Sequence, residues 1–76
     1  MNLENLIKMA NQIGDFFEAM PDREQAIRDI ASHLRRTWDP RMRAQLLASL
    51  AEADGAKLKP VVREAVLMLG PSDGNR

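Results

Sequence analysis

The chain has 76 residues, with eleven Lys and Arg set against eleven Asp and Glu and no cysteine. That length allows one domain with one core, and a domain so short buries only about 60% of the surface its unfolded chain exposes. The composition excludes a disulfide framework, a thiolate-held zinc or iron-sulfur site and a thiol nucleophile, and zero formal charge argues against a dedicated nucleic-acid binder.

Apolar residues recur with helical spacing along the whole chain and nowhere with the two-residue period of a half-buried strand, which predicts an all-α domain of four helices. The first is expected from Leu3 to Ala19, with Leu3, Leu6, Ile7, Ala10, Ile13 and Phe17 on one stripe, and Met20-Pro21-Asp22 ends it. Asp22 caps the second helix and Gln25 completes a capping-box pattern. Its stripe is Ala26, Ile27, Ile30, Ala31 and Leu34, and it stops near Trp38.

Asp39-Pro40 opens the third helix with a capping carboxylate and a proline whose missing N–H costs nothing at the first position. Met42, Leu46, Leu47 and Leu50 carry it to Ala53, where Asp54-Gly55 supplies a left-handed stop. Pro60 opens the fourth, with Val61, Val62, Ala65, Val66, Met68 and Leu69 forming a broad apolar face until Gly70-Pro71. One helical domain over residues 1–70 and a short, disordered, flexible tail over 71–76 follow. Three short connections favour sequential antiparallel packing, as a small bundle or an orthogonal array.

The apolar runs are short, and Met1-Asn2-Leu3-Glu4 lacks a basic stretch ahead of an apolar one. Neither a membrane span nor a secretory signal is expected, and the expected location is cytoplasmic. No catalytic, cofactor-binding or metal-binding residue is expected either. His33 follows Asp29 by one turn, but no serine motif or cysteine accompanies the pair, and a helix-surface contact beside the core stripe is the simpler reading. A single histidine does not make a zinc or calcium cluster, and there is no Gly-rich phosphate loop.

Two features stand out as candidates for binding a partner. In the first helix Met9, Phe16 and Met20 widen the apolar face to about half the circumference, which suits either the central helix of the domain or a docking surface. Around the break between the second and third helices, Arg35, Arg36, Arg41 and Arg43 surround Trp38, the sole tryptophan, with only Asp39 to oppose them. Arg41 and Arg43 lie in a first helical turn, where the dipole disfavours cations, and Arg43 falls on or beside the Leu46, Leu47, Leu50 stripe. Its guanidinium must find carboxylates or carbonyls, within the domain or across an interface. An intramolecular clasp, in which Asp39 caps, Trp38 plugs the core and an arginine pairs with Asp29 or a carboxylate of another helix, a partner-facing anchor, and a helix-turn-helix-like nucleic-acid reader are the three alternatives.

The stretch Lys8-Met9-Ala10-Asn11-Gln12-Ile13-Gly14 with Phe16-Phe17, and above all His33-Leu34-Arg35-Arg36-Thr37-Trp38-Asp39-Pro40-Arg41-Met42-Arg43, resembles the delta subunit of bacterial NAD-dependent, molybdenum-containing formate dehydrogenases. Thr37 departs from that pattern, which carries an aromatic there. The resemblance spans nearly the whole chain. It implies a non-catalytic accessory subunit, itself without cofactor, that binds the molybdenum-cofactor-containing catalytic subunit of a cytoplasmic complex and supports its assembly, cofactor retention or stability. From the zero net charge and the short apolar runs, neither a nucleic-acid nor a membrane partner is expected. The contrasting expectation is a small helical regulatory or adaptor module, a nucleic-acid binder included, unrelated to formate oxidation.

Overall fold

The computed structural model describes residues 2–70 and forms four α-helices: α1 (Leu3–Glu18), α2 (Arg23–Thr37), α3 (Pro40–Ser49) and α4 (Pro60–Leu69). A short 3-10 turn, Ala53–Lys57, joins α3 to α4, and no strand occurs among the described residues. The tail expected over 71–76 lies outside them.

Short polar side chains start the first three helices by answering amides that have no helical acceptor. Asn2 Oδ1 accepts from Glu4 N–H at 2.8 Å, Asp22 Oδ1 from Gln25 N–H at 3.2 Å, and Asp39 Oδ1 from Met42 N–H at 3.0 Å. α4 has no such cap and begins instead at Pro60, which carries no amide to satisfy. The capping box at Asp22 is half formed. The Gln25 side chain turns down the helix, donating to Asp29 Oδ1 at 2.9 Å and accepting from Arg28 at 3.2 Å, so it does not reach back to Asp22.

The third helix departs from expectation at its end. α3 stops at Ser49, short of Ala53, and Gly55 does not adopt a left-handed conformation; among the described residues Gly70, with φ 68°, is the one position of positive φ. Gly55 is needed for closeness. The 3-10 turn folds back so tightly that a Cβ on Gly55 would collide with the Ser49 carbonyl oxygen and lie 2.8 Å from Leu50 Cα. Buried Ser49 satisfies its own hydroxyl on Leu46 O at 2.6 Å, and Arg63 on α4 donates to Gly55 O at 2.9 Å, fixing the turn from the other side.

Packing is not sequential. α2 rests chiefly on α4, and α1 touches α2, α3 and α4. Ala26 and Ala31 on α2 and Ala65 on α4 are fully buried, and such small side chains allow the two backbones to approach closely. Around them Leu6, Ile30, Leu34, Leu46, Val62 and Val66 fill the centre. α1 meets α4 closely at Gly14, where a Cβ would lie 2.6 Å from Val62 Cγ2.

A polar clamp reinforces this contact. The Asn11 side chain donates to Lys57 O and accepts from Lys59 N–H, both at 2.9 Å. Lys59 Nζ then reaches Asp15 at 2.9 Å and Glu18 at 3.1 Å on α1. Its hydrogen bonds to those two carboxylates raise the Lys59 ammonium above the ordinary lysine range, against a smaller opposing effect of desolvation. Between α2 and α4, Arg23 and Glu64 pair at 2.7 Å, and the bond from Arg23 holds the Glu64 carboxyl below its usual range.

Candidate docking surface

The break between α2 and α3 organises the surface singled out by the sequence. Trp38 ends α2, its N–H donating to Leu34 O at 2.9 Å, and Asp39 and Pro40 start α3 immediately afterwards. The tryptophan is only 5% exposed and belongs to the core, as the clasp alternative described it. The remainder of that clasp is not a salt bridge. Arg43 Nη1 donates to the carbonyl of Trp38 and, at 3.2 Å, to that of Arg35, so the guanidinium sits on the negative end of α2. A cation misplaced with respect to the dipole of its own helix is thus well placed with respect to the preceding one. Carbonyls take the part expected of a carboxylate.

Arg35, Arg36 and Arg41 are exposed and form no ion pair among the described residues. Lys57, Lys59 and Arg23, by contrast, each hold a carboxylate. Arg35, Arg36 and Arg41 thus flank Trp38 in the chain without a carboxylate partner, as the last turn of α2 and the first turn of α3 meet there.

Beside them opens an apolar groove of about 660 Å³. One wall is the widened face of α1, with Met9, Gln12, Ile13, Phe16 and Phe17. His33 and Thr37 of α2 form the other, and Trp38 and Met42 complete the lining at the helix break. The Phe17 ring packs edge-on against Phe16 at 5.1 Å between centroids and against His33 at 6.1 Å, so the two walls meet through aromatic contacts. Phe16 is 76% exposed and Met9 is 39% exposed, and on α4 Leu67 and Met68 are exposed too, outside the groove. The groove thus joins two features that the sequence presents separately, the Met9 and Phe16 extension and Trp38. Met20, half-buried beyond the end of α1, is not part of its lining.

Gln12, His33, Thr37 and Met42 were not among the partner-binding candidates in the sequence, which reads Met42 as part of the α3 stripe and His33 as a surface contact of Asp29, because their place in the groove appears only when three helices converge. Thr37 satisfies its hydroxyl on His33 O at 2.8 Å, leaving its methyl for the groove. Asp29 is occupied by Gln25 and makes no hydrogen bond to His33. Among the described residues no three His, Cys, Asp or Glu side chains gather in one place, and no helix is long and apolar enough to cross a membrane.

Residues 5–66 match the family described as the NADH-dependent formate dehydrogenase delta subunit, FdsD. No curated protein and no solved structure matches the chain. The match covers most of the sequence, and the chain belongs to that family of delta subunits, which partner the other subunits of formate dehydrogenase.

Proposed function

We propose that this delta subunit is a non-catalytic accessory chain that binds the catalytic, molybdenum-cofactor-containing subunit in the cytoplasm and supports its assembly, cofactor retention or stability. The observation that supports the reading is the groove on α1, where Phe16, 76% exposed, gathers with Met9, Ile13, Phe17 and Met42 into one contiguous apolar lining. Met9 and Phe16 supply the apolar contact from the groove, and Met20 extends it beyond the end of α1. Arg35, Arg36 and Arg41 supply the polar one, and Trp38 and Arg43 shape the site from within by fixing the α2–α3 break.

The redox groups belong to the partner chains in this reading. A sequence without cysteine has no thiolate for an iron-sulfur cluster or a molybdenum centre, so the donor set here does not fit either group.

Co-purification with the formate dehydrogenase complex tests the docking. Phe16→Ser should weaken association while leaving the melting temperature of the free chain nearly unchanged, since the side chain is exposed. Unchanged association would overturn the groove as the docking site. For the supporting role, the complex prepared without this chain should lose molybdenum or activity faster on storage. Equal molybdenum content and equal half-life would refute it.

A further inference from the structure

Resting on the reading above, we propose that the element seated in the groove is an acidic amphipathic segment of the catalytic subunit. Its bulky apolar side chains enter between Phe16 and Trp38, and its carboxylates meet Arg36 and Arg41.

The lining sets the first half of this chemistry. Met9, Ile13, Phe16, Phe17, Trp38 and Met42 present thioether, alkyl and ring surface, and methionine adapts its shape to an incoming side chain. Thr37 has already committed its hydroxyl to His33 O. An occupant must therefore be largely apolar where it enters.

Charge sets the second half. Arg36 follows groove-lining His33 by three residues, which puts the two on one face of α2, and Arg41 precedes groove-lining Met42 in the first turn of α3, so both lie close in the chain to the Trp38 end of the lining. Neither has an ion-pair partner among the described residues. Asp39, the nearby carboxylate in the sequence, accepts from the Met42 amide through Oδ1 as the cap of α3. Of the other cations, Arg23 holds Glu64 and Lys59 holds Asp15 and Glu18, whereas Arg28 and Arg63 bond to the Gln25 side chain and to Gly55 O. An apolar groove with two free guanidiniums at one end is complementary to a segment carrying Asp or Glu next to its apolar anchors.

Two other occupants fit less well. Residues 71–76 of the chain, Pro-Ser-Asp-Gly-Asn-Arg, offer no bulky apolar side chain to fill the groove. A second copy docked about a twofold axis would set the patch against itself and bring the same arginines together.

The test uses the formate dehydrogenase complex prepared without this chain, with binding of the purified chain measured at low and at raised salt. Arg36→Glu with Arg41→Glu should weaken binding by about tenfold or more and flatten its salt dependence. Both residues are exposed, so the free double variant should melt as the parent does. Phe16→Ser alone should weaken binding without changing the salt slope. Weakening by Phe16→Ser with no effect of the arginine reversals would overturn the acidic occupant while leaving groove docking intact. No effect of Phe16→Ser would overturn the docking reading itself. A photo-crosslinker at position 41 should capture a catalytic-subunit peptide containing Asp or Glu; capture of a peptide without either, or self-association of the free chain abolished by Phe16→Ser, would overturn the proposal.

Discussion

The guanidinium of Arg43 donates to the backbone carbonyl of Trp38 and thereby ties the first turn of α3 to the last turn of α2. A second bond, to Arg35 O at 3.2 Å, spreads the charge over the carbonyls left open where α2 ends. Arg43→Ala should cost about 1–2 kcal/mol of folding stability, since charge-assisted bonds are lost but the half-exposed carbonyls regain water. For a domain of this size that lowers the melting temperature by roughly 4–16 °C. Arg43→Lys should recover part of the loss, keeping the charge at the helix end but not the forked geometry. A denaturant titration in which Arg43→Ala unfolds at the parent's midpoint would show that the contact contributes nothing.

Gly55 illustrates what the sequence can and cannot show. Asp-Gly after an apolar stripe is a sound stop signal, and α3 does stop before it, but at Ser49 and through a 3-10 turn that needs no left-handed residue. The glycine is required by backbone-to-backbone approach, a tertiary fact with no local signature. Gly55→Ala should therefore destabilise by about 1–3 kcal/mol, because the added methyl group meets Ser49 and Leu50 backbone that cannot rotate away. Gly14→Ala should cost less, as the about 0.5–1 kcal/mol gained by replacing a mid-helix glycine offsets part of the clash with Val62. Equal midpoints for parent and Gly55→Ala in urea would contradict the packing account.

The helices themselves were legible because capping residues and prolines mark their starts: Asp22, Asp39 with Pro40, and Pro60 all fall where expected. Their arrangement was not. Which apolar faces meet depends on side-chain size at distant positions, so α2 packing on α4 leaves no trace in the spacing of either helix. The candidate site was half legible for the same reason. Met9 and Phe16 lie visibly outside the core stripe, whereas the contribution of His33 and Met42 to one groove is set by the fold. The arginine cluster was visible as composition, but the sequence could not show that Arg43 alone among the four is held by the α2 end.

Trp38 and Phe16 line the same groove from opposite states of burial, 5% and 76% exposed, and truncation separates them. Trp38→Ala should cost about 3–5 kcal/mol, enough to unfold a large fraction of so small a domain. Phe16→Ala should change stability by no more than about 0.5 kcal/mol, the usual range for an exposed position. Circular dichroism during thermal unfolding distinguishes the two. A strong loss at Phe16 would mean that the residue supports the Phe17 and His33 contacts and is not free to receive a partner.

The ion pairs between helices predict opposite behaviour at the two ends of the pH scale. Glu64 is held below its usual range by the bond from Arg23, so it favours the folded state at neutral pH, and that contribution is lost as pH falls through the depressed folded value. Lys59 is raised by Asp15 and Glu18; its contribution is complete below the ordinary lysine range and is lost as pH rises through the raised folded value. All of these groups face solvent, so salt should weaken both effects. Urea midpoints measured across pH should therefore fall at acid pH less steeply for Glu64→Gln than for the parent, and at alkaline pH less steeply for Lys59→Met. Slopes identical to the parent's in both limbs would show that these pairs close in the fold without contributing to its stability.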